Sequence, residues 1–336
     1  MSAADYSIVV PTIGRDSLST LLRSVAAGPG PLPREVVLVN DRPSRPLDVP
    51  DLPALHGRVR VLSGARRGPA AARNRGWRAT TAEWVVFLDD DVVPGPVWRT
   101  ELAGDLGAAA RVGAVAGRIC VPVPGGVRPT DWQRQVMALS DAPWITADIA
   151  YRRVALETVG GLHEGFTAAF REDTDLAARV RAYGFDLVHG RRRAAHLVGR
   201  TTWWSSVWRQ RGNADDALLR RRFGRDWRGR TGVPRGRRAS HLLTTTAALT
   251  AIGALALRRP TVALAAAGGW LALTGEFTGR RVCDGPRTPA EIATMAVTSV
   301  VIPPVATGYW LRGLWLHRRV ARLALPPRSR EGRALW

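Results

Sequence analysis

The chain has 336 residues, 46% of them hydrophobic, so it can bury a core and is not globally disordered. It carries 49 basic against 28 acidic residues, a net charge of +21. Every basic residue is Arg, which excludes Schiff-base and Walker-type lysine chemistry, and the charge favours anionic partners such as nucleotides, anionic lipid or nucleic acid.

In chain order, residues 7–10 (SIVV), 35–40 (EVVLVN), 59–62 (VRVL) and 84–88 (WVVFL) predict buried strands. No signal peptide is expected, because the first strand has no basic n-region or long h-region before it. Helical spacing over 18–27 and 69–81 alternates with those strands. The alternation predicts an α/β fold, a mostly parallel sheet with helices on both faces. Ligands of such sheets bind beyond the carboxyl ends of the strands. Further on, 97–106 predicts a short helix, 112–120 a strand, 156–160 and 173–183 helices, and 185–189 a strand. One helix is expected over 203–223, with Trp203, Trp204 and Trp208. Residues 186–238 hold 15 Arg against four acidic residues. Beyond them, 241–257, 261–275 and 292–311 are apolar and flanked by Arg, and the last is close to bilayer length. The expected organisation is a catalytic domain over 1–225, then an Arg-rich linker and an apolar, α-helical, membrane-associated region over 226–336. Cys120 and Cys283 can build neither a disulfide framework nor a Cys-based zinc site, and fit a reduced, cytosolic setting.

The polar residues at the strand ends carry the chemistry. Asp89-Asp90-Asp91 follows an apolar strand directly. Clustered carboxylates repel one another unless a cation or strong donors neutralise them, and at a strand end they suit a hard divalent metal bound to phosphate oxygens. The plainer alternative is a solvated acidic turn. Asp41 ends the second strand, as a turn former or as an acceptor for a base or ribose. The segment from Gly68 to Gly76 opens a helix of small residues, with Arg73 and Asn74 one turn inside, where an Arg can clamp a diphosphate. Glu172-Asp173-Thr174-Asp175 starts another helix; first-turn acids are ordinary caps, but one of three can act as general base. His196 follows the basic run Arg191–Arg193, as a structural residue or a metal ligand. The tryptophans fit a core or interface, and can also stack on sugar rings.

Together SIVVPTIGR, VLVNDRP, GPAAARNRG, FLDDDVVP and REDTDLAARV resemble, in order and spacing, the family 2 glycosyltransferases of GT-A fold, over roughly residues 5–215. The resemblance implies inverting transfer of a sugar from a nucleotide diphosphate, with Mg²⁺ or Mn²⁺. It implies that Pro11 and Thr12 line the base and that Asp41 accepts from it. Arg73 and Asn74 would lie near the donor. Asp89 and Asp91 form the DXD pair beside Asp90, Asp91 touching the metal and Asp89 the ribose or a metal-bound water. Asp173, beside Glu172, takes the general-base position, and His196 that of a further metal ligand. The chain departs from the pattern at Asn40-Asp41-Arg42-Pro43 and at Asp148-Ile149-Ala150. It lacks the QxxRW signature of processive members, which favours single transfer.

Two other readings compete. A nucleotidyltransferase with a related sheet needs a Gly-rich loop followed by Lys, and the chain has no Lys. A nucleic-acid-binding protein leaves the acidic clusters unexplained, because they repel phosphate. The expected partners are therefore a nucleotide diphosphate sugar, a glycan or lipid-linked acceptor and a membrane, without nucleic acid. The expected location is the cell membrane with the catalytic domain in the cytoplasm. Arg235, Arg237 and Arg238 precede the first apolar segment, as a cytosolic start requires.

Overall fold

The computed structural model describes residues 4–123, 125–199 and 201–324; the last residues of the expected C-terminal region, 325–336, lie outside the described residues. Strands β1 (Tyr6–Thr12), β2 (Val36–Asn40), β3 (Val59–Ser63), β4 (Trp84–Leu88), β5 (Val92–Pro94), β6 (Val112–Cys120), β7 (Asp148–Arg152) and β8 (Asp186–His196) form one sheet. Its order is β3-β2-β1-β4-β7-β6-β8-β5. The first four strands in sequence pair in parallel. Beyond β4 the sheet turns mixed: β7 runs antiparallel to β4 and β6, β8 parallel to β6, and β5 antiparallel to β8. The α/β class expected from the alternation is the one observed.

Both faces are covered, and the period-2 geometry of a strand sorts the residues. Tyr6, Ile8 and Val10 of β1, Val36 and Leu38 of β2, and Trp84, Val86 and Leu88 of β4 point to one face. There they meet α1 (Ser17–Ala27) and α3 (Trp98–Asp105) through Leu18, Leu21, Leu22, Trp98 and Leu102. Val9, Val37, Val39, Val85 and Phe87 point to the other. On that face pack α2 (Pro69–Arg78), α5 (Arg153–Val159) and α6 (Glu172–Ala182). α4 (Asp131–Met137) lies outside this sandwich. It starts with a capping box in which Thr130 and Gln133 satisfy each other's backbone N–H.

Three expectations are corrected. β3 is not a buried strand: Arg60, Val61 and Ser63 are exposed, because β3 is an edge with only β2 beside it. β8 does not stop at His189 but runs to His196, so the basic run lies inside a strand. Alternation buries Arg192 completely and leaves Arg191 and Arg193 exposed. The single helix over 203–223 is three pieces: α7 (Ser205–Trp208), a 3-10 turn (Arg209–Gly212) and α8 (Asn213–Phe223). The break falls at Gly212, where a Cβ would lie 2.8 Å from the ring of Phe170.

α9 (Trp227–Thr231) and α8 pack on α6 through Phe166, Leu218, Phe223 and Trp227. Three long helices follow: α10 (Arg238–Ala256), α11 (Pro260–Cys283) and α12 (Pro289–Leu316). α10 and α12 are long and apolar enough to cross a membrane. α11 carries Glu276, Arg280 and Arg281 in its second half. Arg237 pairs with Glu276 at the root of the α10–α11 hairpin, while Leu249, Ile252, Leu255, Leu257 and Leu264 stay exposed along it. α12 instead lies against the preceding part of the chain at both ends. Its Glu291 accepts from the Asp131 N–H of α4 at 2.8 Å, and Gly313 lies flush against Ala214 of α8.

Candidate active site

β4 is buried throughout, and its chain turns sharply at the carboxyl end, where the Val92 N–H donates to the Asp89 carbonyl at 3.2 Å. The three carboxylates in that turn take different partners. Asp90 points inward: Thr12 Oγ1, at the end of neighbouring β1, donates to its Oδ2 at 2.6 Å, and Arg15 Nη1 to its Oδ1 at 2.7 Å. Arg15 also donates to Asp91 Oδ2 at 2.8 Å. Asp91 Oδ1 faces His196 Nε2 at 3.4 Å. Burial and the charge of Asp89 push the Asp91 carboxyl upward, against His196 and Arg15. Asp89 accepts from Arg73 Nη2 at 2.5 Å.

Arg73 joins this turn to the start of α6. It sits in α2, is 1% exposed, and donates through Nη1 to Glu172 Oε1 at 3.1 Å. α2 is aimed by its entry: Gly68 has φ 88°, a Cβ there would lie 2.3 Å from the Thr167 carbonyl, and its N–H donates to Asp41 Oδ2 at 2.9 Å. Glu172 is 2% exposed and follows Arg171, which holds the left-handed φ of 74°. Burial, then the neighbouring Asp173, push the Glu172 carboxyl up to about 8 against the pull of Arg73. Burial also raises Asp173, opposed by its own helix start: Asp173 Oδ1 accepts from the Thr174 N–H at 2.6 Å and from Thr174 Oγ1 at 3.1 Å. Its Oδ2 makes no hydrogen bond among the described residues. Three buried polar atoms beside these groups have no partner there either: Glu172 Oε2, Arg73 Nε and Asp41 Oδ1.

Thr12, Arg73, Asp89, Asp90, Asp91, Glu172, Asp173 and His196 are therefore brought to one place. Asp41 closes one flank through Gly68, and Pro11 sits on β1 opposite Val39, partly exposed. Asn74 points elsewhere. It holds the 162–164 loop by donating to the Leu162 carbonyl at 2.8 Å and to Glu164 Oε1 at 2.9 Å, and it accepts from Leu162 N–H and Trp77 Nε1. Arg15 was not singled out from the sequence, although it lies within the first quoted segment and neutralises two of the three carboxylates. Below the site, Asp148 accepts from Trp98 Nε1 at 2.7 Å and from Arg192 Nε at 2.8 Å, and Arg192 reaches Asp105 at 2.9 Å. This buried group ties β7 to β8 directly beneath the acidic turn.

Among the described residues no three His, Cys, Asp or Glu side chains close on one point. Asp91 and His196 form a two-ligand set. His196 Nδ1 lies 3.1 Å from the Leu197 carbonyl; a proton assigned there leaves the Nε2 lone pair facing Asp91. Two acceptors then oppose each other, an arrangement a cation between them relieves. A hard divalent ion needs few protein ligands when substrate phosphates supply the rest, so the residues fit such an ion. Asp89 is engaged by Arg73 instead.

The model of the family described as Glycosyl transferase family 2 matches residues 7–176, just over half of the chain. Pre-mycofactocin glycosyltransferases from two strains of Mycobacterium tuberculosis are 32% identical over 193 residues. That match takes in 53% of this chain and 39% of theirs, so the chain spans about two fifths of the length of these curated relatives. A mannosyltransferase from Pyrobaculum calidifontis, solved in complex with GDP-Man and Mn²⁺, is similar with a TM-score of 0.49 at 18% identity, covering 93% of this chain and 88% of that one. With the acidic turn after β4, Arg73 and the Glu172-Asp173 pair inside or at the edge of the matched span, the chain belongs to glycosyl transferase family 2.

Proposed function

We propose that this chain transfers a sugar, with inversion, from a nucleotide diphosphate to an acceptor oxygen, assisted by Mg²⁺ or Mn²⁺. The observation that carries this is the Asp89–Arg73–Glu172 bridge. It fixes the acidic strand end and the start of α6 on opposite sides of one buried guanidinium, so donor and base meet in one site.

In this reading Pro11, Thr12 and Asp41 lie along the nucleoside, the unpartnered Asp41 Oδ1 accepting from the base. Asp91 and His196 would hold the ion, which would neutralise charge on the leaving diphosphate. Arg15, about half exposed, is held beside Asp90 and Asp91, where its guanidinium would add positive charge near the phosphates. Asp89 orients Arg73 and the donor. Asp173 is the general base: its Oδ2 is free, whereas the Glu172 carboxylate is buried against Arg73. The raised Asp173 carboxyl is a stronger base than an ordinary one. Glu172 positions Arg73, and burial keeps Asp173 basic. Attack in line with the departing phosphate inverts the anomeric carbon.

The reading of acceptor class and location rests on this chain's own C-terminal helices rather than on relatives of which it spans two fifths. Exposed leucines along the α10–α11 hairpin suit a membrane with the catalytic domain in the cytosol, where nucleotide sugars are made. A lipid-linked or envelope glycan acceptor fits that location. The test is Asp173→Asn, nearly isosteric. Calorimetry with Mn²⁺ should show donor affinity retained while transfer falls by about 10²–10⁴-fold. Transfer within a few-fold of the parent would remove Asp173 as base.

A further inference from the structure

α12 passes across the roots of both helices that precede it. In its first half Arg281 of α11 donates to Thr298 Oγ1 at 2.8 Å and to Ser299 Oγ at 3.0 Å. Further along, the Thr307 hydroxyl lies 3.3 Å from that of Thr245, and Trp310 lies under Arg238 at the start of α10. At about 100° per residue the side chains of α12 sort into two faces. Met295, Ser299, Ile302, Ala306, Trp310 and Gly313 are buried on one. Ile292, Val297, Val300, Leu311, Leu314 and Trp315 are exposed on the other and fall in a single stripe.

From Ile292 to Leu311 the chain carries no Asp, Glu or Arg, so the stripe runs without charge along most of the helix. A helix face turned to water is ordinarily polar, and a long exposed apolar stripe marks a contact surface. Its end changes character at once. Arg312, Arg318, Arg319 and Arg322 are exposed and make no ion pair among the described residues, and Arg318 lies over the ring of Trp315 at 4.5 Å. A second copy of the stripe would bring these arginines no counter-charge, because residues 292–324 hold no Asp or Glu. An anionic bilayer supplies both needs, acyl chains for the stripe and headgroups for the arginines. Trp beside Arg at the end of an apolar segment is also the composition of a membrane–water boundary.

We propose that α12 lies in the plane of an anionic membrane leaflet, with its stripe turned to the lipid and its terminal arginines on the headgroups. The roots of α10 and α11, which α12 crosses, then sit at the same depth as α12, and this one helix limits how far the hairpin can sink. The proposal rests on the membrane reading given above and specifies the surface that meets the lipid.

The experiment uses the full chain, with Cys120 and Cys283 replaced by Ser, in vesicles of phosphatidylglycerol and phosphatidylcholine. Val297→Cys, Leu311→Cys and Ile252→Cys, all at exposed positions, each carry an environment-sensitive fluorophore. Lipids bearing a nitroxide near the headgroup or near the acyl-chain end then report depth by quenching. The labels at 297 and 311 should both respond more to the headgroup quencher, and to the same extent, while the label at 252 in α10 responds more to the deep one. A crossing helix would hold positions 297 and 311 about 21 Å apart in depth, so unequal quenching of the two would overturn the in-plane placement. Quenching at 252 with none at 297 and 311 would overturn the lipid contact of α12 alone. Absence of quenching at all three positions would sink the membrane reading itself. Omitting phosphatidylglycerol should weaken quenching at 311, beside the terminal arginines, and unchanged quenching there would overturn the anionic preference.

Discussion

Arg73 is the residue on which the site depends most for both shape and charge. It is 1% exposed and pairs with a buried Glu172 and a part-buried Asp89. Removing Arg73 leaves the Asp89 carboxylate without its cation and buried Glu172 Oε1 without its donor, so Arg73→Ala should cost about 3–5 kcal/mol, read as a lowered denaturant midpoint. Glu172 gives a prediction in pH. Its carboxyl titrates at about 8 in the folded chain against an ordinary 4.5, so the folded state holds the extra proton between those values. Stability therefore falls as pH rises through that window, and Glu172→Gln should flatten the melting temperature across it. The acids of this site stood out because Asp89–Asp91 and Glu172–Asp175 are clusters, and clustered carboxylates need strong donors or a cation beside them. The orientation of Asn74 did not, because it was read as one unit with Arg73. On a helix neighbouring residues point about 100° apart, so Arg73 faces the acids while Asn74 faces the 162–164 loop. Arg15 was hidden by composition: among 49 arginines, nothing in its local sequence distinguishes it.

At the scale of elements, the strands were legible where both faces are buried. β1, β2 and β4 read directly as continuous apolar runs. β8 was cut short because three consecutive arginines break any apolar pattern; the Asp148 and Asp105 carboxylates, with the Val115 carbonyl, explain why Arg192 can be buried. β7 has no counterpart among the expected elements, since the same carboxylate, Asp148, opens its five residues. Close packing of α2 on the sheet gives the next prediction. A Cβ at Gly76 would lie 2.3 Å from Val9 Cγ1 and 3.1 Å from Val39 Cγ2. Gly76→Ala gains helix propensity but overpacks a core that cannot yield, so it should destabilise by about 1–3 kcal/mol in equilibrium unfolding. A neutral or stabilising result would mean that α2 can lift off β1.

For the whole molecule, the open question in the sequence is how many of three apolar segments cross a membrane. A third span over 292–311 would carry Arg312, Arg318, Arg319 and Arg322 to the far side, against the positive-inside rule. The fold removes the conflict. Both ends of α12 are tied to the catalytic domain: Glu291 to α4 at one end, and at the other the Val320 carbonyl, which accepts from Arg221, and the Leu323 N–H, which donates to the Arg222 carbonyl. Trp310 lies under Arg238, 3.8 Å from the ring centroid, on the same side. A helix fixed at both ends to one domain does not cross away from it. Consistently, 39% of the apolar window of α12 is buried inside the protein, against 11% for α10.

In the membrane reading proposed above, the α10–α11 hairpin would be the inserting element, although α11 itself is not apolar enough throughout to pass as a span. α10 has 19 residues, about 28 Å of helix, close to the thickness of a hydrocarbon core. Its tip carries Arg258 and Arg259, and Arg258 takes the left-handed φ of 54° that turns the chain into Pro260. The charged half of α11 lies at the root, where Glu276 meets Arg237 and Arg280, so it need not enter the bilayer. Two arginines at the tip are a smaller cost than the four that a third span would carry across. The check is site-directed labelling in sealed vesicles with a membrane-impermeant maleimide, in a background where Cys120 and Cys283 are replaced by Ser. Leu257→Cys at the tip and Arg319→Cys beyond α12 should react from opposite sides. Reaction of both from the same side would show that the hairpin lies within one leaflet or outside the bilayer, and release of the parent chain by a carbonate wash would decide for the latter.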